Sequence, residues 1–237
     1  MLCGTIKNCK KRFPVPLPYD IIQENQRNKD RILGYLLAIL LGYLLGCSSM
    51  AFYIGKMKKK DIRTAGSGNL GASNATILMG WKAGILVAIH DAGKALLAVL
   101  LANLFFPALP NVGAVAGTAA VLGHIFPAPL KFRGGKGFAS YVGMTMALNW
   151  KFALVVLGIV ILVTVITDYI VVGTTTTVLL VPSYLGWAHH SFLLAGILLI
   201  GTLVILYKHR ENFVRMANGT EIGLRSAAKG ERRIKKG

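Results

Sequence analysis

Residues 32–54 read ILGYLLAILLGYLLGCSSMAFYI, with no charged side chain from Ile32 to Ile54. A helix rises 1.5 Å per residue, so about 20 such residues cross a hydrocarbon core of about 30 Å. The stretch reads as a membrane span. Comparable stretches follow at Ile85–Phe106, Val112–Leu130, Ala139–Asn149, Phe152–Val172, Thr174–Trp187 and Phe192–Tyr207. The fourth and sixth of the seven fall below the usual spanning length, and the third and fourth are rich in glycine, the pattern of broken or re-entrant helices. The expected fold is all-α, a polytopic membrane helix bundle of about seven transmembrane helices. It occupies residues 32–207, between a basic polar extension (1–31) and a basic tail (208–237).

Composition agrees. The chain of 237 residues is 54% hydrophobic and 15% charged, with a mean hydropathy of +0.57. Soluble domains carry about a quarter charged residues. Lys and Arg number 27 against 9 Asp and Glu, a net charge of +18. These cations flank apolar spans and form no single patch with interleaved aromatics, so nucleic acid is not an expected partner. Only three cysteines are present, one of them (Cys47) inside an apolar run, which excludes a disulfide scaffold. Basic residues follow the first span (Lys56, Lys58, Lys59, Lys60, Arg63), the third (Lys131, Arg133, Lys136) and the seventh (Lys208, Arg210, Arg215). The intervening loops hold one Lys and no Arg. By the positive-inside bias these basic loops and the C-terminus are cytoplasmic. The basic N-terminal extension falls on the opposite side and conflicts with that bias.

Polar segments between apolar helices carry the functional information. Residues 61–76 read DIRTAGSGNLGASNAT, in which Gly66, Gly68 and Gly71 alternate with Ser67, Asn69, Ser73 and Asn74. Such backbone can turn several N–H groups toward one anion, or serve as a flexible linker. Neither the P-loop nor the dinucleotide fingerprint is present. Residues 123–137 read GHIFPAPLKFRGGKG, placing Lys136 among Gly134, Gly135 and Gly137. An ammonium and nearby backbone N–H groups there can meet one oxyanion. Both segments fall on one membrane face, which favours a shared phosphate site over two topological turns. Asp91 and Lys94, at i, i+3 beside His90, are ionisable groups at membrane depth. They read equally as a structural pair or as ligand contacts. Asp168 reads as a helix-end polar group. Tyr207–Asn212 reads YKHREN, in which His209 and Arg210 either contact phosphate or snorkel to set helix depth.

The segments GSGNLGASN (66–74), D-x-x-K (91–94), GHIFP…FRGGKGFA (123–139) and HREN…NGTE (209–221) stand in one order and spacing. In them the chain resembles the bacterial acyl-phosphate:glycerol-3-phosphate acyltransferases, across residues 33–224. The resemblance implies a seven-helix membrane enzyme that moves a fatty acyl group from acyl phosphate to the sn-1 hydroxyl of glycerol 3-phosphate. The product would be lysophosphatidic acid, for phospholipid synthesis. It further implies catalytic roles for Ser67, Lys136 and His209. Substrate-binding positions would be Gly66, Gly68, Asn69, Asn74, Lys94, His124, Gly134, Gly135, Gly137, Thr174, Arg210 and Asn212. No cofactor or metal is implied. The expected partners are the two substrates, membrane lipid and a soluble enzyme that makes acyl phosphate, with the active site on the cytoplasmic face. An acyl phosphate is a mixed anhydride with a good leaving group, so no Ser or Cys nucleophile is needed, and no G-x-S-x-G elbow occurs. Two positions depart from the family: Ile77 stands where it has an arginine, and Cys47–Ser49 where it has S-x-P. A small-anion transporter, or a relative using another acceptor, is the competing reading.

Overall fold

The computed structural model describes residues 18–228. Helix α1 (Pro18–Gly46) carries the first apolar stretch but ends at Gly46, inside the predicted span. Cys47 N–H still reaches the Tyr43 carbonyl at 2.9 Å, whereas Ser48 N–H turns to Leu45 at 3.3 Å. Ser49 then caps α2 (Met50–Met57), its hydroxyl accepting from Phe52 N–H. Serines offer the backbone a competing partner, which is why the helix breaks here.

The glycine loop leads into α3 (Ala72–Met79), and Gly80, at φ 90°, turns the chain into α4 (Trp81–Phe105). There follow α5 (Val112–Ile125), a 3₁₀ turn at Ala128–Leu130, and α6 (Phe138–Leu148). Next come α7 (Trp150–Thr167), α8 (Ile170–Ala188), α9 (Phe192–Ala217) and the short α10 (Leu224–Ala228). No strand occurs among the described residues. Six segments among the described residues are long and apolar enough to cross a membrane. The sixth predicted span proves longer than expected, since α8 has 19 residues. The fourth, α6, has 11 residues, a rise of about 16 Å, and cannot cross alone.

In lipid, apolar helices gain little by hiding from their solvent, so close backbone approach holds them together. Helix α5 lies at the centre, and α1 docks on it through small residues. A Cβ on Gly42 or Gly46 would overlap the Ala116 or Ala120 carbonyl, and one on Gly123 would overlap that of Tyr43. Gly143 of α6 sits likewise on the Ala92 carbonyl of α4. Around these contacts Val99, Val121, Met144, Val178, Leu198 and Ile205 form the core. Leu36, Leu40 and Leu44 of α1 and Ile161 and Ile166 of α7 face outward as lipid-facing side chains. This is an integral membrane protein.

Candidate active site

Gly66 and Gly68 adopt φ of 61° and 66°, a left-handed conformation that glycine enters without a Cβ penalty. The loop they form wraps one buried amide. Asn74 Oδ1 accepts the Ser67 N–H at 2.9 Å, and Asn74 Nδ2 donates to the carbonyls of Ile62 at 3.0 Å and Ala65 at 3.2 Å. Just upstream, Arg63 donates to both oxygens of Asp61, at 3.0 and 2.9 Å, and holds that carboxyl below the usual carboxylate range. Ser67 itself is exposed, with its hydroxyl directed to no described side chain, and Asn69 is half-buried. The loop is held from below and open above.

The second glycine segment closes differently. Gly134 N–H donates to Ile125 and Gly135 N–H to His124, at 3.2 and 3.1 Å. The two amides expected to meet an oxyanion are therefore bonded to the end of α5. A Cβ at Gly134 would overlap the His124 carbonyl, and one at Gly135 would overlap its ring. These glycines serve close packing. Gly137, at φ 92°, is the N-cap of α6 and brings no side-chain acceptor. The N–H groups of that first turn are open to an anion.

Lys136, between these glycines, reaches α9. Its ammonium donates to Asn212 Oδ1, Asn212 Nδ2 donates to Glu221 Oε1 at 2.6 Å, and Arg215 Nε donates to Glu221 Oε2 at 2.7 Å. Burial, then the nearby Arg215 charge, pulls the Lys136 pKa below the usual lysine value, while Glu221 and Glu211 oppose the fall. His209 lies three residues before Asn212 on the same buried face of α9. Its Nδ1–H donates to the Ile205 carbonyl at 2.8 Å, which leaves Nε2 as the bare nitrogen.

A third group lies deeper. The Lys94 ammonium donates to the Ser48 carbonyl at 2.6 Å and His124 Nδ1 at 2.8 Å, and pairs with Asp91 Oδ1 at 3.1 Å. His90 Nε2 meets Ser48 Oγ at 3.0 Å. Asp91 is 2% exposed and the Lys94 side chain 5%. Lys94 thus ties the break after α1 to α4 and α5 by two hydrogen bonds and an ion pair. Through His124 it also supports the Gly134–Gly135 backbone.

The structure thus joins Lys136 and Asn212, places His209 beside them, and sets His124 and Lys94 beneath. Arg210 is not brought in. It points outward, stacks on the Tyr207 ring 4.2 Å away and donates to the Tyr207 carbonyl. Thr174 is buried in α8 and joined by no hydrogen bond to the Lys136 group. Ile77 is 47% exposed on α3, and Lys82, the nearest cation in sequence, lies over the Trp81 ring. Sequence reasoning missed Glu221 and Arg215 as site residues. The available signal was weak, since Glu221 is one of three acids (with Glu211 and Glu231) in a tail dominated by cations.

The chain as a whole is similar to known proteins. The family model described as glycerol-3-phosphate acyltransferase matches residues 36–219. The chain is 39% identical over 201 residues to glycerol-3-phosphate acyltransferase 1 of Oceanobacillus iheyensis, covering 81% of this chain and 96% of that protein. It is 40% identical over 191 residues to the glycerol-3-phosphate acyltransferase of Coxiella burnetii, covering 80% and 97%. Among solved structures it resembles PlsY, an integral membrane glycerol 3-phosphate acyltransferase. The glycerol 3-phosphate form of PlsY matches with a TM-score of 0.77 and 30% identity, over 82% of this chain and 98% of that one. The lysophosphatidic acid form matches with a TM-score of 0.71 and 31% identity, over 80% and 94%.

Proposed function

The chain belongs to the glycerol-3-phosphate acyltransferase family, and from that premise we propose that it transfers a fatty acyl group from acyl phosphate to the sn-1 hydroxyl of glycerol 3-phosphate. The lysophosphatidic acid so made would feed phospholipid synthesis, at a site facing the cytoplasm. The observation that carries the reading is the Lys136–Asn212 pair beside His209, at the open N-terminus of α6.

Both substrates are phosphate monoanions or dianions, so the first task is to hold negative charge. Lys136, the free N–H groups at the start of α6, and the exposed Ser67 loop supply donors to that end. The reaction then needs little covalent help. The acceptor hydroxyl oxygen bonds to the acyl carbon, the bond from that carbon to the bridging phosphate oxygen breaks, and inorganic phosphate leaves. The hydroxyl proton passes to His209 Nε2 or to the departing phosphate. His209 is oriented for this by the Ile205 carbonyl, which holds its proton on Nδ1. Rate enhancement rests on positioning and on stabilising the oxyanion, with no acyl-enzyme. Lys94, His124, Asn74, Gly134 and Gly135 then support the site from beneath.

The test is an assay of the purified protein in lipid, with palmitoyl phosphate and labelled glycerol 3-phosphate, beside Lys136→Ala. Labelled lysophosphatidate from the native protein and none from the variant supports both function and site. Phosphate release without labelled lipid would point to another acceptor and give Ile77 its meaning. No turnover of acyl phosphate would overturn the reading.

A further inference from the structure

The segment after α9 is tied down at both ends. At its start, Thr220 and Glu221 N–H groups donate to the Arg215 carbonyl at 2.8 and 3.1 Å. The Glu221 carboxylate accepts from Asn212 and Arg215 as described above. At its far end the partner is Asp168, which stands between α7 and α8 at φ 69°. The Asp168 carbonyl accepts the Leu224 N–H at 2.7 Å, and Asp168 Oδ1 accepts the Arg225 N–H at 2.8 Å. Arg225 Nη2 reaches the Val165 carbonyl at 3.2 Å. Gly223 packs so closely that a Cβ there would overlap the Asp168 carboxylate. Between the Glu221 clasp and the Asp168 anchor, which begins at Leu224, lie only Ile222 and Gly223. So short a strap cannot slacken at one end and stay fixed at the other.

We infer that Asp168 is a positioning residue, which through the 221–225 strap holds Glu221 on Asn212 and Arg215 and so sets the orientation and charge environment of Lys136. Asp168 touches no substrate in this scheme. An αL residue other than glycine is uncommon, and Asp tolerates the region better than most. Its carboxylate accepts the Arg225 N–H and its main-chain carbonyl the Leu224 N–H, so the residue meets the strap twice. The effect on Lys136 has a direction. Lys136 is faced by Arg215, Lys208, His209 and Glu211 of α9 and by Glu221 of the strap. Glu221 favours its charged form, whereas Arg215 and Lys208 disfavour it. Releasing the strap withdraws the carboxylate and leaves the cations, so Lys136 discharges at lower pH.

The inference rests on the acyltransferase reading for its kinetic test and has a separate physical one. Asp168→Ala and Asp168→Asn are compared with the native protein in lipid, each first shown to be monodisperse. Asp168→Asn keeps a side-chain acceptor for the Arg225 N–H. The expected result is a loss of kcat/KM of about tenfold in Asp168→Ala, with the alkaline limb of the pH profile moved to lower pH. Asp168→Asn should recover most of that loss. In the same samples, hydrogen exchange of the 221–225 amides should quicken by at least about tenfold in Asp168→Ala only. Native-like kinetics and exchange in Asp168→Ala would overturn the inference, as would an unmoved alkaline limb, or Asp168→Asn failing equally. If the native protein itself transfers no acyl group, the function reading fails. The exchange experiment still decides whether Asp168 anchors the strap.

Discussion

Two lysines in this protein sit in clusters that look alike on paper and differ in what they leave open. Lys94 is sealed among Asp91, His124 and the Ser48 carbonyl, one cation against one anion. Lys136 meets Asn212, behind which Glu221 is shared with Arg215, so two cations face one clasped carboxylate. The first cluster is electrically complete and belongs at membrane depth, where an unpaired charge is expensive. The second carries surplus positive charge beside an uncapped helix start, which is what the proposed phosphate site requires. Residue type does not separate a structural lysine from a working one. The unmet remainder does.

Breaking the second cluster should have the larger effect on turnover. Lys136→Ala should lower kcat/KM by about 10²–10³-fold, read by labelled lysophosphatidate formation. Lys136→Ala retaining more than a tenth of native activity would dissolve the contrast. Breaking the first cluster should instead be felt in folding. Removing one partner of a buried pair costs about 3–5 kcal/mol, so Asp91→Ala should lower the melting temperature in detergent sharply. The double replacement Asp91→Leu with Lys94→Met should be milder than either single change, because no uncompensated charge remains. Asn74→Ala removes the amide that gathers three backbone groups of the glycine loop. Leaving those groups unpaired, of which the Ile62 carbonyl is buried, costs about 1–3 kcal/mol, visible as increased proteolysis between residues 62 and 71.

A pH titration sharpens the comparison further. Lys136 is needed as the cation, and its pKa is lowered, so raising the pH discharges it earlier than an ordinary lysine. The alkaline limb of kcat/KM should fall below about pH 10.4, the value of free lysine. Glu221→Gln should move it lower still. Arg210→Ala should change kcat/KM by no more than about twofold, since its guanidinium stacks outward on Tyr207.

Hydropathy made the bundle legible, because a span announces itself over some twenty residues and tolerates few charges. It could not show where a helix outlasts the membrane. His209 and Asn212 look like loop residues after an apolar run, yet α9 continues to Ala217 and sets them three apart on one buried face. Nor could it show the break at Cys47–Ser49, since three small residues keep the stretch apolar enough to read as one helix. The motifs around Ser67 and Lys136 stood out as glycine among polar residues. What each glycine does was not legible. Gly66 and Gly68 are needed for a left-handed turn, whereas Gly134 and Gly135 are needed because His124 presses on them, with its carbonyl against the first and its ring against the second. Asp168 and Glu221 lie far apart in sequence and act through each other's neighbours, so only the folded chain relates them.

Helix α6 is half a membrane tall. It shares the turn at Asn149 with α7, whose 18 residues climb about 27 Å while the 11 of α6 climb about 16 Å. Counted along the two helix axes, the glycine–lysine turn that opens α6 therefore stands about 11 Å nearer to Asn149 than the far end of α7 does. On the proposed function the two substrates would meet at that recessed turn. A water-soluble phosphate ester would exchange its hydration for fixed donors there. An acyl donor would need only to bring its carbonyl to the same turn, with its tail still in oil.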